Sequence, residues 1–296
     1  MTSKIANASK IFAKAECNRL FDLSIVCGVK MVFYFLIVIP ALLLAYMVFE
    51  AKSIEVTHVE ASKENEGLKI MQLSDIHIGR LLVSWRRIGE AIRRENPDLI
   101  VMTGDYIENR RHKSLFLSFL EKTVSGYRTY ICFGNHDHIA FKNDTEGFEE
   151  FKRDIGKMGI IILENTSVCI SKKNKKYNLI GIADIRNSLH DVAEAYKNAD
   201  KNAEFNIGIS HNPDVVFEIP YGSLKYLLCG HFHGGQIWMP FGIEFAVLRK
   251  EQLCRKGITK GLHQVKGISL YISRGLGNVC LPLRFRSKPE ITVLYL

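Results

Sequence analysis

Five short apolar runs, each broken off by a cluster of Asp, His, Asn and Gly, constrain this 296-residue chain more than any other feature. LKIMQLS leads into Asp75-Ile-His77, DLIVMT into Gly104-Asp105, and YICF into Gly134-Asn135-His136-Asp137. FNIGIS then leads into His211-Asn212-Pro213, and LKYLLC into Gly230-His231-Phe232-His233. Runs of this length and composition read as buried strands, so five strands deliver polar groups at their carboxyl ends. Between them, Ser84 to Asn96, Leu115 to Val124 and Gly147 to Met158 carry helical periodicity. Ser84 stands where a cap is expected, and Asn96-Pro97 is a stop. Strands alternating with helices predict an α/β layered fold whose functional crevice lies beyond the strands' carboxyl ends.

The pattern changes later in the chain. Ser167 to Ala183 reads as a hairpin around Lys172 to Lys176, and ISLYIS and EITVLYL follow within Gly267 to Leu296 with no helix between them. A second, partly antiparallel sheet is expected. Hydrophobic residues at 47% and charged residues at 24% suffice for a large core, and no Pro, Gly or Ser-rich linker interrupts it, so residues 51–296 read as one two-sheet domain.

The clusters hold two aspartates, an asparagine and four histidines able to bind metal, with one further histidine beside the asparagine. A lone His after a strand is usually a hydrogen-bonded structural residue. Five clusters brought to one sheet end would repel one another and suffer desolvation unless a cation neutralised them. Imidazole mixed with carboxylate suits manganese, iron or zinc, and the number of ligands exceeds what one tetrahedral ion uses. Two divalent ions sharing a carboxylate is the economical reading, and ions ~3.5–4 Å apart can hold a hydroxide and clamp both oxygens of an in-line displacement at phosphorus. A metal-dependent hydrolase of phosphoester or phosphoanhydride bonds is therefore expected. Asn135 and His136 are expected on an extended segment with their side chains diverging, so that both do not bind one ion.

The order DxH, GD, GNHD, a solitary His and GHxH resembles the calcineurin-like metallophosphoesterase superfamily. The resemblance implies a four-layer sandwich of two mixed β-sheets flanked by helices. It places Asp75, His77, Asp105 and His233 around one ion and Asp105, Asn135, His211 and His231 around the other. His136 would lie over the substrate phosphate as general acid or charge stabiliser, oriented by Asp137. SHNPD at 210–214, GHFHGGQ at 230–236, SRGLG and LPLRF are similar to a membrane-associated bacterial phosphodiesterase branch, some of whose members hydrolyse UDP-2,3-diacylglucosamine in lipid A synthesis. The resemblance implies a membrane-anchored phosphodiesterase or pyrophosphatase, with that substrate, or another lipid or nucleotide-sugar lipid, as the alternative to a simpler phosphate ester or anhydride. A nuclease or a catalytically silent scaffold of the same fold are the remaining alternatives; the N-terminal apolar run opposes the first and an intact His136 the second.

That run, Met31 to Phe49, contains no charge and is bordered by Lys30 and Glu50. It is long enough to span a bilayer, and neither the long polar region ahead of it nor the sequence after it resembles a cleaved signal. Lys4, Lys10, Lys14, Arg19 and Lys30 precede it, whereas residues 50–66 carry two lysines and five glutamates. The positive-inside rule then makes residues 1–30 cytoplasmic, 31–50 a transmembrane anchor and 51–296 an extracytoplasmic hydrolase domain. Five cysteines in that domain show no pairing pattern, and Cys132 and Cys229 read as small core residues. The net charge of +9 is dispersed apart from KKNKK at 172–176, which argues against a nucleic-acid surface. No protein partner is expected.

Three weaker readings complete the set. Arg80 is suited either to a substrate phosphate or to a surface ion pair. His138 reads as a solvent-facing loop histidine. Ile237 to Phe241 (IWMPF) is expected to pack between the sheets, with contact to an acyl chain or bilayer as the alternative.

Overall fold

The computed structural model describes residues 30–60, 67–187 and 189–296, with the side chains of 246 and 248 excepted. The cytoplasmic segment expected over 1–30 lies almost wholly outside the described residues. The chain divides into two compact units at Met47.

In the first unit the apolar run is helical, as part of a helix over Lys30–Lys52 that is long and apolar enough to cross a membrane. Its 23 residues measure about 35 Å. From Lys30 to Tyr46 no side chain is buried. The helix widens to a π-turn at Tyr34–Val38, where the Ile39 N–H bonds Tyr34 O. Pro40 explains the widening: it brings no N–H and its ring crowds the carbonyl four residues earlier, which a wider turn accommodates.

The second unit is built on two six-stranded mixed sheets. Its strands are β1 (Glu55–Glu60), β2 (Lys69–Leu73), β3 (Leu99–Thr103), β4 (Thr129–Cys132), β5 (Ile161–Ile162) and β6 (Thr166–Lys172). They continue as β7 (Lys175–Gly181), β8 (Phe205–Ile209), β9 (Tyr226–Cys229), β10 (Gly261–Val265), β11 (Ile268–Ile272) and β12 (Glu290–Tyr295). The first sheet runs β1-β12-β2-β3-β4-β5 and the second β10-β11-β9-β8-β7-β6. β2 to β5 are parallel, as are β11, β9, β8 and β7; β12 runs antiparallel to β2 but parallel to β1. β6 and β7 form the expected hairpin.

Period-two alternation divides the strand residues between layers. Ile70, Leu99, Val101, Tyr130 and Cys132 meet Leu179, Ile207, Ile209 and Leu228 between the sheets. Met71, Leu73, Ile100, Met102 and Ile131 face outward onto helices, against Ile88, Phe116, Phe119, Phe151 and Ile155. Those helices are α1 (Trp85–Glu95), α2 (Lys113–Thr123) and, after the short α3 (Asn135–Ala140), α4 (Thr145–Lys157). Fully burying one such phenylalanine stabilises by roughly 1.5–3 kcal/mol. On the far face of the second sheet Ile180, Leu227, Cys229 and Leu270 pack on Val215, Val216 and Leu253, which completes four layers.

Ser84 departs from expectation. It occupies the N-cap position of α1, but its side chain makes no capping bond. The stop is as expected: Asn96 turns left-handed with φ 44° ahead of Pro97 and gives its N–H to Ile92 O.

Hydrogen bonds cross between the sheets at their carboxyl ends and bring the polar clusters together. Gln72 Nε2 donates to Cys229 O at 2.9 Å, and His211 Nδ1 lies 2.8 Å from Thr103 O.

Candidate metal centre

Each cluster begins where a strand of the parallel core ends, and three of the five lie on backbone that few L-residues adopt. Asp75, His77, Asp105, His231 and His233 all have positive φ, between 41° and 72°. Non-glycine residues held there cost about 1–3 kcal/mol each, a strain found where geometry is imposed by function. The motif glycines allow close approach. A Cβ on Gly104 (φ 84°) would lie 2.6 Å from Gly134 N and 2.8 Å from His211 Nδ1, and one on Gly134 would lie 2.3 Å from Asp105 Oδ1.

The side chains fall into two groups. In the first, His233 Nε2 lies 3.2 Å from His77 Nε2 and 3.3 Å from Asp75 Oδ1. In the second, His211 Nε2 lies 3.0 Å from His231 Nδ1 and 3.1 Å from Asp105 Oδ2. The same Asp105 oxygen is 3.7 Å from His77 Nε2, so it stands between the groups. All six residues are buried.

This arrangement fits a pair of divalent ions. Ligand atoms ~2.0–2.1 Å from a shared ion lie about 3 Å from each other, as these do. Asn135 Oδ1 is buried without a hydrogen-bond partner, as an acceptor reserved for a cation would be. The electrostatics agree. Burial pushes His211 down, but the Asp105 and Asp75 carboxylates outweigh it and lift the ring to about 10, so the cluster draws positive charge. Burial and the nearby His211 and Arg249 push His231 down to about 3 against the pull of Glu251, which keeps it the neutral imidazole that metals bind.

A model of the calcineurin-like phosphoesterase family matches residues 68–235. The chain belongs to that family. As a calcineurin-like phosphoesterase it is a metal-dependent phosphoester hydrolase. It is 29% identical over 246 residues to the metallophosphoesterase YkoQ of Bacillus subtilis, covering 82% of this chain and 88% of the relative. It is 30% identical over 240 residues to the phosphodiesterase YaeI of Escherichia coli, covering 77% and 82%. With the UDP-2,3-diacylglucosamine pyrophosphatase LpxG of Chlamydia muridarum it shares 26% over 280 residues, covering 77% and 83%.

In this phosphoesterase the structure brings Asp75, His77 and His233 into one group and Asp105, His211 and His231 into another, and Asn135 is the neighbour of His136, whose N–H meets Asp105. Two expectations need correction. Asn135 and His136 open helix α3 rather than an extended segment. Asp137 does not touch the His136 ring: its carboxylate accepts the backbone N–H groups of Gly134, Asp105, Tyr106 and Ile107 at 2.8–3.0 Å. Burial and the Asp105 charge push Asp137 up to about 7 against those donors. It therefore clamps the GD turn onto the GNHD turn. His136 gives its own N–H to Asp105 Oδ1 at 2.8 Å, and its ring stands edge-on to His77 with centroids 5.1 Å apart.

Arg80 NH1 lies 3.5 Å from Glu108 Oε1 in an ion pair, and its side chain is exposed. His138 is not solvent-facing; its ring packs on Phe148 at 5.0 Å, with Nε2 3.6 Å from Glu164. Phe241 is exposed, so IWMPF does not lie between the sheets.

Sequence reasoning missed two carboxylates. Glu108 Oε1 faces His77 Nδ1 at 3.4 Å, and Glu251 Oε1 faces His231 Nε2 at 2.9 Å. Each meets the ring nitrogen turned away from the metal group, a relation that fixes tautomer and ring plane. Asp214 of SHNPD sets the second: it accepts the N–H groups of Gln252 and Leu253 and so holds the turn that carries Glu251. SRGLG and LPLRF are scaffold for Asp75. Gly277 N donates to Asp75 O at 2.7 Å. The fully buried Arg284 gives its guanidinium to the carbonyls of Arg274, Gly275, Gly277 and Ser287.

Proposed function

We propose that this phosphoesterase hydrolyses a phosphodiester or phosphoanhydride linkage of a membrane lipid, using two divalent ions, with manganese the first candidate and iron or zinc the others. The observation that carries the reading is Asp105 Oδ2 standing between two buried ligand groups. Asp75, His77, Asp105 and His233 would hold one ion, and Asp105, Asn135, His211 and His231 the other. A bound pair supplies Lewis acidity and an activated water for in-line attack on phosphorus. The chain's own residues do the rest. The ligands' fixed turns set the phosphate between the two groups, and His136, anchored by its backbone on Asp105, presents its ring to the substrate for proton delivery to the leaving oxygen.

A lipid substrate is supported by the apolar helix and by the substrate in the name of the LpxG relative; diester cleavage is supported by the name of YaeI. The charge asymmetry about the apolar run supports a cytoplasmic segment over 1–30, an anchor over 31–50 and an external hydrolase domain over 51–296. That orientation favours a lipid of the outer leaflet over UDP-2,3-diacylglucosamine, which lipid A assembly uses on the cytoplasmic side.

The full chain, purified in detergent with manganese, is to be assayed on bis-p-nitrophenyl phosphate, p-nitrophenyl phosphate, UDP-2,3-diacylglucosamine and single-stranded DNA. Hydrolysis of the diester or the anhydride supports the reading. Turnover of the monoester or of DNA alone overturns it, and a C-terminal reporter active only in the cytoplasm overturns the orientation.

A further inference from the structure

The apolar loop that follows the last metal motif turns large apolar side chains to solvent. Phe241 is 99% exposed, on a left-handed backbone (φ 61°) followed by Gly242, also left-handed (φ 68°). Val247 is 73% and Leu281 56% exposed, and Trp238, Met239 and Ile243 are also exposed. A strained turn that holds a phenyl ring clear of the protein exchanges backbone energy for nothing unless the ring meets something apolar.

This tip is held firmly in place. Trp238 N donates to Phe285 O at 3.0 Å, Phe285 N to Gln236 O at 2.9 Å, and Met239 N to Glu244 Oε2 at 3.2 Å. Gln236 Nε2 also reaches Leu281 O at 2.9 Å, which sets Leu281 beside the loop. Cations lie close by in the chain: the Arg286 guanidinium stacks on Trp238 at 4.4 Å, and the exposed Lys250 and Lys288 follow the helix at 243–248 and Arg286 by two residues each.

The same 285–287 segment meets the residue that ends the charge-free run. Glu50 is buried and its Oε1 accepts the Ser287 N–H at 2.7 Å. Ser287 Oγ in turn donates to His233 O at 2.8 Å. One short segment therefore joins the boundary residue of the apolar run, the exposed aromatic tip and a metal-ligand turn. A chain anchored by Met31 to Phe49 would carry Glu50 at headgroup level, and this segment with it.

We propose that the loop Ile237–Leu248, with Leu281, is an interfacial membrane element that sinks its apolar tip into the bilayer holding the chain's own helix while Arg286, Lys250 and Lys288 meet anionic headgroups. Aromatic and aliphatic side chains with cations close by are the composition that partitions about 5–10 Å into a headgroup boundary. Insertion fixes the metal centre over the headgroups, where a lipid-borne phosphoester lies. The proposal rests on the membrane-anchor reading and not on the identity of the substrate.

The chain has two tryptophans, so Trp85→Phe leaves Trp238 as the only indole emitter. The full-length variant is reconstituted in phosphatidylcholine and phosphatidylglycerol vesicles whose acyl chains carry bromine near the headgroup end. Trp238 emission is expected to fall by about half relative to unbrominated vesicles. Phe241→Asp with Val247→Asp should abolish that quenching and leave bis-p-nitrophenyl phosphate hydrolysis in detergent unchanged. Should Trp85→Phe fold poorly, the difference between wild type and Trp238→Phe gives the same signal. A chain retained in vesicles whose Trp238 is unquenched overturns the proposal; if it also sediments as a dimer through this face, a second copy is the occupant. A chain that washes off the vesicles overturns the anchor reading and this proposal together, whatever its activity.

Discussion

Glu251 Oε1 sits 2.9 Å from His231 Nε2, on the opposite side of the ring from the nitrogen that faces His211. The ring is thereby held with its proton outward and its lone pair inward. Arg249 reaches the same nitrogen at 3.3 Å but bonds the His231 carbonyl at 2.9 Å, and Arg186 pairs with Glu251 at 2.8 Å, so the carboxylate is itself braced. Glu251→Ala is expected to weaken metal binding about 10- to 100-fold, as loss of such partners usually does. Glu251→Gln, which keeps an acceptor, should lose less. Competition against a chelator, followed by metal analysis, reads the difference.

Asp105→Ala is expected to empty both metal positions, because its Oδ2 serves both groups. Asp75→Ala, whose carboxylate faces the His233 ring of the first group and meets only the backbone N–H of His231 in the second, should leave one ion bound. Elemental analysis of the purified variants checks this, and two ions retained by Asp105→Ala would refute the sharing.

His136→Ala should keep both ions, since the His136 contact to Asp105 is made by its backbone N–H, which alanine preserves. Turnover of esters with alkoxide-like leaving groups should fall by about 10² to 10⁴, the usual contribution of a general acid. Loss should be smaller for p-nitrophenolate, which departs with little help from a proton. Equal loss for both would assign His136 to charge stabilisation instead.

Arg284→Ala is expected to destabilise the domain by about 3–5 kcal/mol, since it abandons four buried carbonyls in the turns behind Asp75. Burial pushes this guanidinium down to about 9 while Asp75 pulls it upward, so its charge is held in place by those acceptors. Chemical unfolding of wild type and variant gives the difference. Arg284→Lys should recover part of it, because an ammonium cannot reach as many acceptors in one plane.

What was legible in the sequence follows from what is local. Strand and ligand are contiguous at Leu73-Ser74-Asp75 and at Cys229-Gly230-His231, so an apolar run and its polar terminus mark both fold and site. Glu108 and Glu251 carry no such mark: each acts on a ring supplied by another turn, and neither ends an apolar run. The sequence marks Asp137 but not its contacts, because the backbone N–H groups it accepts leave no trace in side-chain identity. The apolar composition of Ile237 to Phe241 suggested burial, yet the left-handed backbone at Phe241 that turns its ring outward is not written in residue type.

The position of β12 in the first sheet has a consequence for how the protein is made. β12 lies between β1 and β2, pairing with both, so β1 cannot close onto its sheet until residues 290–295 have been synthesised. At about 5–20 residues per second, a ribosome leaves that edge waiting on the order of ten seconds or more after β1 emerges. During that interval β2 and β1 each expose an unpaired edge, and a strand from a neighbouring nascent chain is as good a partner as the one still to come. Completion of this sheet is thus a race between translation of β12 and pairing with the wrong molecule. Slow codons or stalling before residues 290–295 would cost yield through aggregation rather than through loss of any catalytic group.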